Sequence, residues 1–373
     1  MAAAAWWLGV LLLVLLGTLC GCGGPQRPAP APTPSAETGR TADMAATDAV
    51  YAFLDAYTTP TGRVQRTDQG GDTVGEAQAY GLLAAAAVGD AGRFERIWRW
   101  TQTHALRRDD LLVFRWADGR VQDPQAAADA DLDLAHALLL AGCRFKRADL
   151  HRTAARVGRS LLDRETATAR TGLVLLAGPW AAQGPTLTVN PSYLDPAALA
   201  ALAQATGDRR FTAVAQTGRQ IVADLARPLP PDWASLDRRS GRVTPVSGAG
   251  AGGGPGRFTY DAPRTLVRLA ADPDRAGRAL AARAWPVFRG RAAQDIVVEH
   301  DLDGRTAGES HHPITVVAAA AAATAAGDRA AADRLLNGAE ALQRAQPSYY
   351  GGAWVALARL MLTTDRLRSC AEP

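Results

Sequence analysis

GEAQAYGLLAAAAVGDAGRFERIWRWTQTHA, residues 75–105, holds the pattern on which the fold turns. Residues 76–88 are dominated by alanine and leucine, and alanine favours helix because its side chain has no rotamer freedom to lose there. Gly89-Asp90 then punctuates the chain: glycine suits the left-handed residue that ends a helix, and aspartate suits the start of the next. A second helical run follows at once, over 91–105. Two helices joined by so short a break form an antiparallel hairpin.

The same reading extends along the chain. Helices are predicted over 44–57, 76–88, 91–105, 128–141, 148–163, 196–205, 209–226, 262–271, 274–287, 313–326, 329–344 and 350–363. Gly142, Gly207-Asp208, Asp272-Pro273 and Gly327-Asp328 mark further breaks. Twelve helices make six hairpins. An open solenoid would show a fixed repeat period, and the hairpins here differ in length and loop content. The expectation is an all-α closed ring of six hairpins, an (α/α)6 barrel, in a single domain. Five long connections, 59–75, 107–125, 166–195, 226–259 and 290–312, precede helix starts. Loops beyond about 12–15 residues are usually functional, so one face of the barrel is expected to carry a site.

Composition narrows the class. Of 373 residues, 47% are hydrophobic, 6% aromatic and 21% charged, too much charge for a polytopic membrane protein and too much apolar content for disorder. The net charge is +4, with Lys146 the one lysine among scattered arginines. Nucleic-acid binders gather charge into a patch, so no nucleic-acid partner is expected. Residues 6–19 are apolar apart from Gly9, Gly17 and Thr18. That is short of the roughly 20 residues of a spanning helix and fits a signal-peptide core. Leu19-Cys20-Gly21-Cys22-Gly23 resembles a bacterial lipobox, with Cys22 as the lipidated residue and Cys20 as the alternative; an ordinary cleaved signal is the other reading. The division is then a leader at 1–21, a Pro/Ala-rich tether at 22–42, and a folded domain at 43–373. An extracytoplasmic protein, secreted or anchored to a membrane by lipid, and monomeric, is expected. Cys143 lies in an apolar helical run and reads as a buried free thiol, with pairing to Cys370 as the alternative.

Three acidic motifs stand where a long loop meets a helix: Val74-Gly75-Glu76-Ala77-Gln78-Ala79-Tyr80-Gly81, Ala127-Ala128-Asp129-Ala130-Asp131-Leu132-Asp133-Leu134-Ala135, and Phe258-Thr259-Tyr260-Asp261-Ala262-Pro263-Arg264. An acid in a first helical turn is commonplace, because it satisfies free N–H groups and the helix dipole. Asp131 and Asp133 are expected to serve solvent, cap or local-network roles. Glu76, Asp129 and Asp261 are set apart by lying together at one end of a helical barrel, each beside aromatic or amide groups.

These motifs resemble those of glycoside hydrolase family 8. That family opens on Ser-Glu-Gly-Gln, an aromatic or small residue and Gly, and continues with Ala-Ser/Thr-Asp-Ala/Gly-Asp before an aliphatic helix. Asn190-Pro191-Ser192-Tyr193, Tyr260-Asp261-Ala262-Pro263-Arg264 and the run 94–101 with Trp98 and Trp100 also match in order and spacing. Gly75, Ala77, Ala128, Leu134 and Phe145 depart from the family pattern at flanking positions. The resemblance implies an (α/α)6 catalytic domain that hydrolyses internal β-1,4 bonds of a polysaccharide with inversion. It implies Glu76 as general acid, Asp261 as general base, and Asp129 as the residue that holds the distorted sugar and keeps Glu76 protonated. An aspartate base at 261 points to a β-glucan such as cellulose ahead of chitosan or xylan.

Inversion needs roughly 6.5–9.5 Å between the two carboxyls, to admit water. Arg264, one turn from Asp261, is expected to keep the base ionised and to contribute to substrate binding. The flat C–H faces of sugars stack on aromatic rings, which nominates Trp116, Tyr193, Tyr260, Trp180 and Tyr350. Gln78, Tyr80 and Asn190 complete the expected substrate contacts, whereas Trp98 and Trp100 are expected in the core. His300-Asp301-Leu302-Asp303-Gly304 lacks the full ligand spacing of a calcium loop and reads as a polar turn. No metal and no cofactor are expected.

Overall fold

The computed structural model describes residues 36–182, 184–249 and 254–368. The leader, Cys22 and most of the tether lie outside the described residues. All twelve predicted helices form: α1 (Ala36–Tyr57), α2 (Gly75–Val88), α3 (Ala91–His104), α4 (Ala128–Arg144), α5 (Ala148–Arg164), α6 (Pro196–Thr206), α7 (Arg209–Leu225), α8 (Ala262–Ala270), α9 (Arg275–Ala282), α10 (Trp285–Phe288), α11 (Pro313–Ala325), α12 (Arg329–Ala345) and α13 (Tyr349–Thr363). The run expected at 274–287 is divided into α9 and α10, because the ring of Pro286 would clash with the carbonyl four residues back in a continuous helix. The first helix starts at Ala36, so the last residues assigned to the tether are helical.

Burial sorts the helices into two rings. In α5 the buried residues are Leu150, Ala154, Val157, Gly158, Leu161 and Leu162, one stripe of a helix with solvent on its other side. In α4, by contrast, every residue from Ala128 to Gly142 is buried, and in α11 every residue from Pro313 to Ala323. A helix apolar all round belongs inside. The inner ring is α2, α4, α6, α8, α11 and α13, each packed on the next, and α13 closes on α2. The outer helices α1, α3, α5, α7, α9 and α12 alternate with them along the chain. This is the (α/α)6 barrel. Alanine lets the inner helices approach closely, as in the Ala318–Ala323 run of α11, every residue of which is fully buried. Gly89 and Gly207, at φ 76° and 71°, end α2 and α6 in the left-handed conformation that favours glycine.

The long connections are not structureless as expected. They carry eight short strands in three antiparallel sheets, ordered β1-β2-β3, β4-β5 and β6-β7-β8. β1 (Thr73–Val74) pairs with β2 (Arg115–Ala117), which pairs with β3 (Arg120–Asp123). β4 (Thr166–Ala169) pairs with β5 (Gly172–Leu175). β6 (Thr186–Val189) pairs with β7 (Trp233–Asp237), setting Val189 opposite Ala234, and β7 with β8 (Val243–Val246). A separate apolar cluster, including Leu187, Val189, Ile221, Leu225, Ala234 and Leu236, seats that last sheet on α7. Two to five residues per strand are too few to show a period of two against the surrounding loop sequence.

Of the roles open to Asp131 and Asp133, the structure selects internal networks over solvent: both are buried, Asp131 accepting from the Leu112 N–H at 2.7 Å and Asp133 pairing with Arg268. One expectation is corrected here. Cys143 is not a free thiol but disulfide-bonded. It is also only half-buried, near the exposed end of α4.

Candidate active site

Each acid stands at the start of an inner helix. β1 is held by β2 through Thr73 opposite Trp116, and the chain turns at Gly75 directly into α2, which puts Glu76 in the first turn. Gly75 is required here by space: a Cβ would lie 2.7 Å from the Val113 carbonyl oxygen and 3.0 Å from the Leu112 side chain. Asp129 lies in the first turn of α4, and Asp261 is the residue before the first turn of α8.

The three carboxyls meet on one guanidinium. Arg264, only 1% exposed, donates from Nη1 to Asp129 Oδ2 at 2.8 Å and to Glu76 Oε2 at 3.0 Å, and from Nη2 to Asp261 Oδ1 at 2.8 Å. Tyr80 Oη lies 3.3 Å from Nη1, and the Tyr193 ring faces the guanidinium at 5.3 Å. Because the guanidinium is rigid and planar, Glu76 and Asp261 are held no more than roughly 8 Å apart between their bonded oxygens, which accommodates the spacing of an inverting pair.

One positive charge cannot balance three negative ones in an enclosed site. The Glu76 carboxyl is pushed up to about 7, first by burial and then by the charges of Asp129 and Asp261, against the opposing pull of Arg264 and Arg66. Its side chain still keeps 22% of its surface open. The opening is a cleft of about 90 Å³ bordered by Glu76, Asp129, Tyr193, Phe114 and Arg66. A larger cavity of about 900 Å³, bordered by His136, Asp272, Arg278 and Arg368, contains none of the three acids.

The glycosyl hydrolases family 8 profile matches residues 40–364. The chain belongs to this family. It is 34% identical over 221 residues to a probable endoglucanase of Novacetimonas hansenii, and 27% identical over 264 residues to endoglucanase A of Acetivibrio thermocellus. These alignments cover 57% and 67% of this chain but 63% and 53% of the relatives' lengths. The fold matches the endo-β-1,4-glucanase of Acetobacter xylinum with a TM-score of 0.72 and 29% identity, over 86% of this chain and 99% of that one. A β-1,3-1,4-glucanase from Paenibacillus sp. X4 shares the fold alone, with a TM-score of 0.78 at 18% identity.

Around the family 8 acids, several expected substrate contacts turn out to be internal. Gln78 is fully buried, accepts from the Val64 N–H at 2.5 Å and donates to Thr101 Oγ1 at 2.8 Å, so it ties the first long connection to α3. Tyr80 is likewise fully buried, edge-on to Trp354 behind Arg264. Arg264 itself is spent on the acids and on Tyr80. Asn190, 5% exposed, donates from Nδ2 to Asp261 Oδ2 at 3.1 Å, while its Oδ1 accepts from Ser192. It therefore holds the Asp261 carboxylate. Trp180 donates from Nε1 to the Ala126 carbonyl at 3.3 Å and secures the approach to α4.

Other rings remain at the rim. Trp116 is half-buried on β2, edge-on to Trp100, with the Arg63 guanidinium 4.5 Å from its ring centre. Tyr193 is 8% exposed and borders the cleft. Tyr260 is 45% exposed, and Tyr350 donates from its hydroxyl to the Tyr260 carbonyl at 3.0 Å. His312 lies edge-on to Tyr260, and burial lowers its imidazole to about 4, so it is neutral. Trp98 and Trp100 are buried as expected. Sequence reading missed Phe114, 46% exposed at the mouth of the cleft, and Arg66, held by Asp72 at 2.7 Å. Phe114 stands two residues before Trp116, and its place opposite Glu76 depends on the β1–β2 pairing.

Proposed function

We propose that this protein hydrolyses internal β-1,4 bonds of a β-glucan such as cellulose with inversion at the anomeric carbon. The observation that carries the reading is the single guanidinium shared by Glu76, Asp129 and Asp261, with Glu76 raised to about 7 as a proton donor. Glu76 gives its proton to the glycosidic oxygen as that bond to the anomeric carbon breaks. Asp261 takes a proton from water as the water oxygen bonds to the same carbon from the opposite face. Asp129 stands between them, where it favours the protonated form of Glu76 and can grip the sugar ring being distorted. Arg264 and Asn190 hold Asp261 from two sides. The endo-β-1,4 specificity is supported by the endoglucanases among its relatives.

Reducing-sugar release from carboxymethylcellulose, with chitosan and xylan in parallel, tests the substrate. NMR of the first-formed anomer tests the stereochemistry, and a retained anomer overturns inversion. Glu76→Gln and Asp261→Asn are expected to lower kcat by about 10²–10⁴-fold. Wild-type rates in both variants would overturn the site.

We further propose, on residues 6–22 alone, an extracytoplasmic monomer anchored through lipid on Cys22. Loss of membrane association in Cys22→Ser tests the anchor, and a dimer by sedimentation would refute the monomer.

A further inference from the structure

Aspartate before a helix ordinarily folds back to accept the free N–H groups of the first turn. Asp90, Asp195, Asp208, Asp274 and Asp328 each do so for α3, α6, α7, α9 and α12. Asp261 holds the equivalent position on α8 and makes no such bond. A carboxylate turned into a cap would have its oxygens tied to its own backbone and unavailable to water.

Something else must satisfy that helix start. Asp232, the residue before β7, reaches across from the neighbouring sheet. Its Oδ1 accepts from the Ala262 N–H at 2.7 Å, the Asp261 N–H at 3.0 Å and the Thr259 N–H at 3.1 Å, and its Oδ2 accepts from the Thr259 hydroxyl. Pro263, in the first turn, offers no N–H at all. The first free donors of α8 are therefore taken by a residue 29 positions away. The Asp261 carboxylate is left to Arg264 Nη2 and Asn190 Nδ2, and its side chain stays 30% exposed. The β6–β7 pairing supplies the geometry, because Val189 opposite Ala234 brings Asn190 and Asp232 to the same end of the sheet.

We propose that Asp232 is the positioning residue of the general base: by capping α8 in place of Asp261, it frees the Asp261 carboxylate to receive a proton from water. This rests on the family 8 reading of the site given above. Asp232→Ala is expected to lower kcat by about 10²-fold with KM unchanged, the scale of a misplaced reacting group. Asp232→Asn keeps the Oδ1 acceptor, and its amide can donate to the Thr259 hydroxyl, so it should return kcat to within about tenfold of wild type. Thr259→Val, which loses only the hydroxyl bond, should show a small decrease in kcat and serves if Asp232→Ala does not fold. Unchanged kcat in Asp232→Ala, or equal losses in the alanine and asparagine variants with raised KM, would overturn the proposal. A crystal structure of Asp232→Ala separates it from the activity reading: the Asp261 carboxylate should have rotated onto the Arg264 or Ala262 N–H. If it stays on Asn190 the proposal fails, whatever the substrate.

Discussion

Arg264 and Arg268 stand one turn apart on α8, both buried, and each binds a carboxylate of α4: Arg264 takes Asp129, and Arg268 takes Asp133 one turn below. The lower arginine also bonds Asp195 at 2.9 Å and lies 5.6 Å from the Trp354 ring centre. The spacing repeats but the stoichiometry does not. Arg268 serves two acids, both enclosed, with side-chain exposures of 1% and 3%. Arg264 serves three, and two of those stay partly exposed, Glu76 at 22% and Asp261 at 30%. One additional carboxylate and one opening convert a structural ion cluster into a site with a proton to give.

Substitution by methionine separates the two clusters most strongly. Arg268→Met leaves two buried carboxylates without a cation, and should cost about 3–5 kcal/mol in denaturant unfolding. Arg264→Met should cost less stability, because two of its three acids reach solvent, while kcat falls about 10³-fold. Equal stability losses would break the distinction. Next, the acid limb of the comparison is a pH effect. With Glu76 as the proposed proton donor, kcat should fall about tenfold per pH unit above a midpoint of about 7. Glu76→Gln should lack that limb.

Gln78→Ala should cost about 1–3 kcal/mol through unpaired buried groups, while leaving KM on soluble glucan unchanged. A raised KM would return Gln78 to the groove.

The smallest effect concerns Asp131 and Glu165, a buried carboxyl pair with no arginine of its own. Burial raises both, the facing charge of Asp129 and their mutual proximity add to it, and Arg107 opposes while bonded to Asp109. The folded chain therefore keeps protons that the unfolded chain has lost above about pH 4, and this contribution to stability falls as pH rises. Glu165→Gln should gain on wild type in melting temperature between about pH 5 and pH 8. A constant difference would show that no proton is retained.

Much of this was legible in the sequence, and the reasons differ by residue. The helices were readable because alanine-rich runs and Gly-Asp breaks act locally. Glu76, Asp129 and Asp261 were readable because helix starts after long loops are recognisable along the chain. Gln78 and Asn190 were misread as substrate contacts because a polar residue beside an acid looks the same whether its partner is a sugar or a backbone N–H on a distant loop. Asp232 carried no signal, since its partners lie at the start of α8, about 30 residues further along the chain. Cys143 looked like a core thiol because the half-exposed end of α4 cannot be told from its middle by apolar content.

By itself the sequence determined the helix order and which acids begin the helices, because propensity and capping act over a few neighbouring residues. Only the tertiary structure decided that three of those acids share one arginine, that burial raises Glu76 to about 7, and that Asp261 is relieved of its capping role. Those outcomes depend on burial and on charges brought together from positions up to 188 residues apart, which no local pattern encodes.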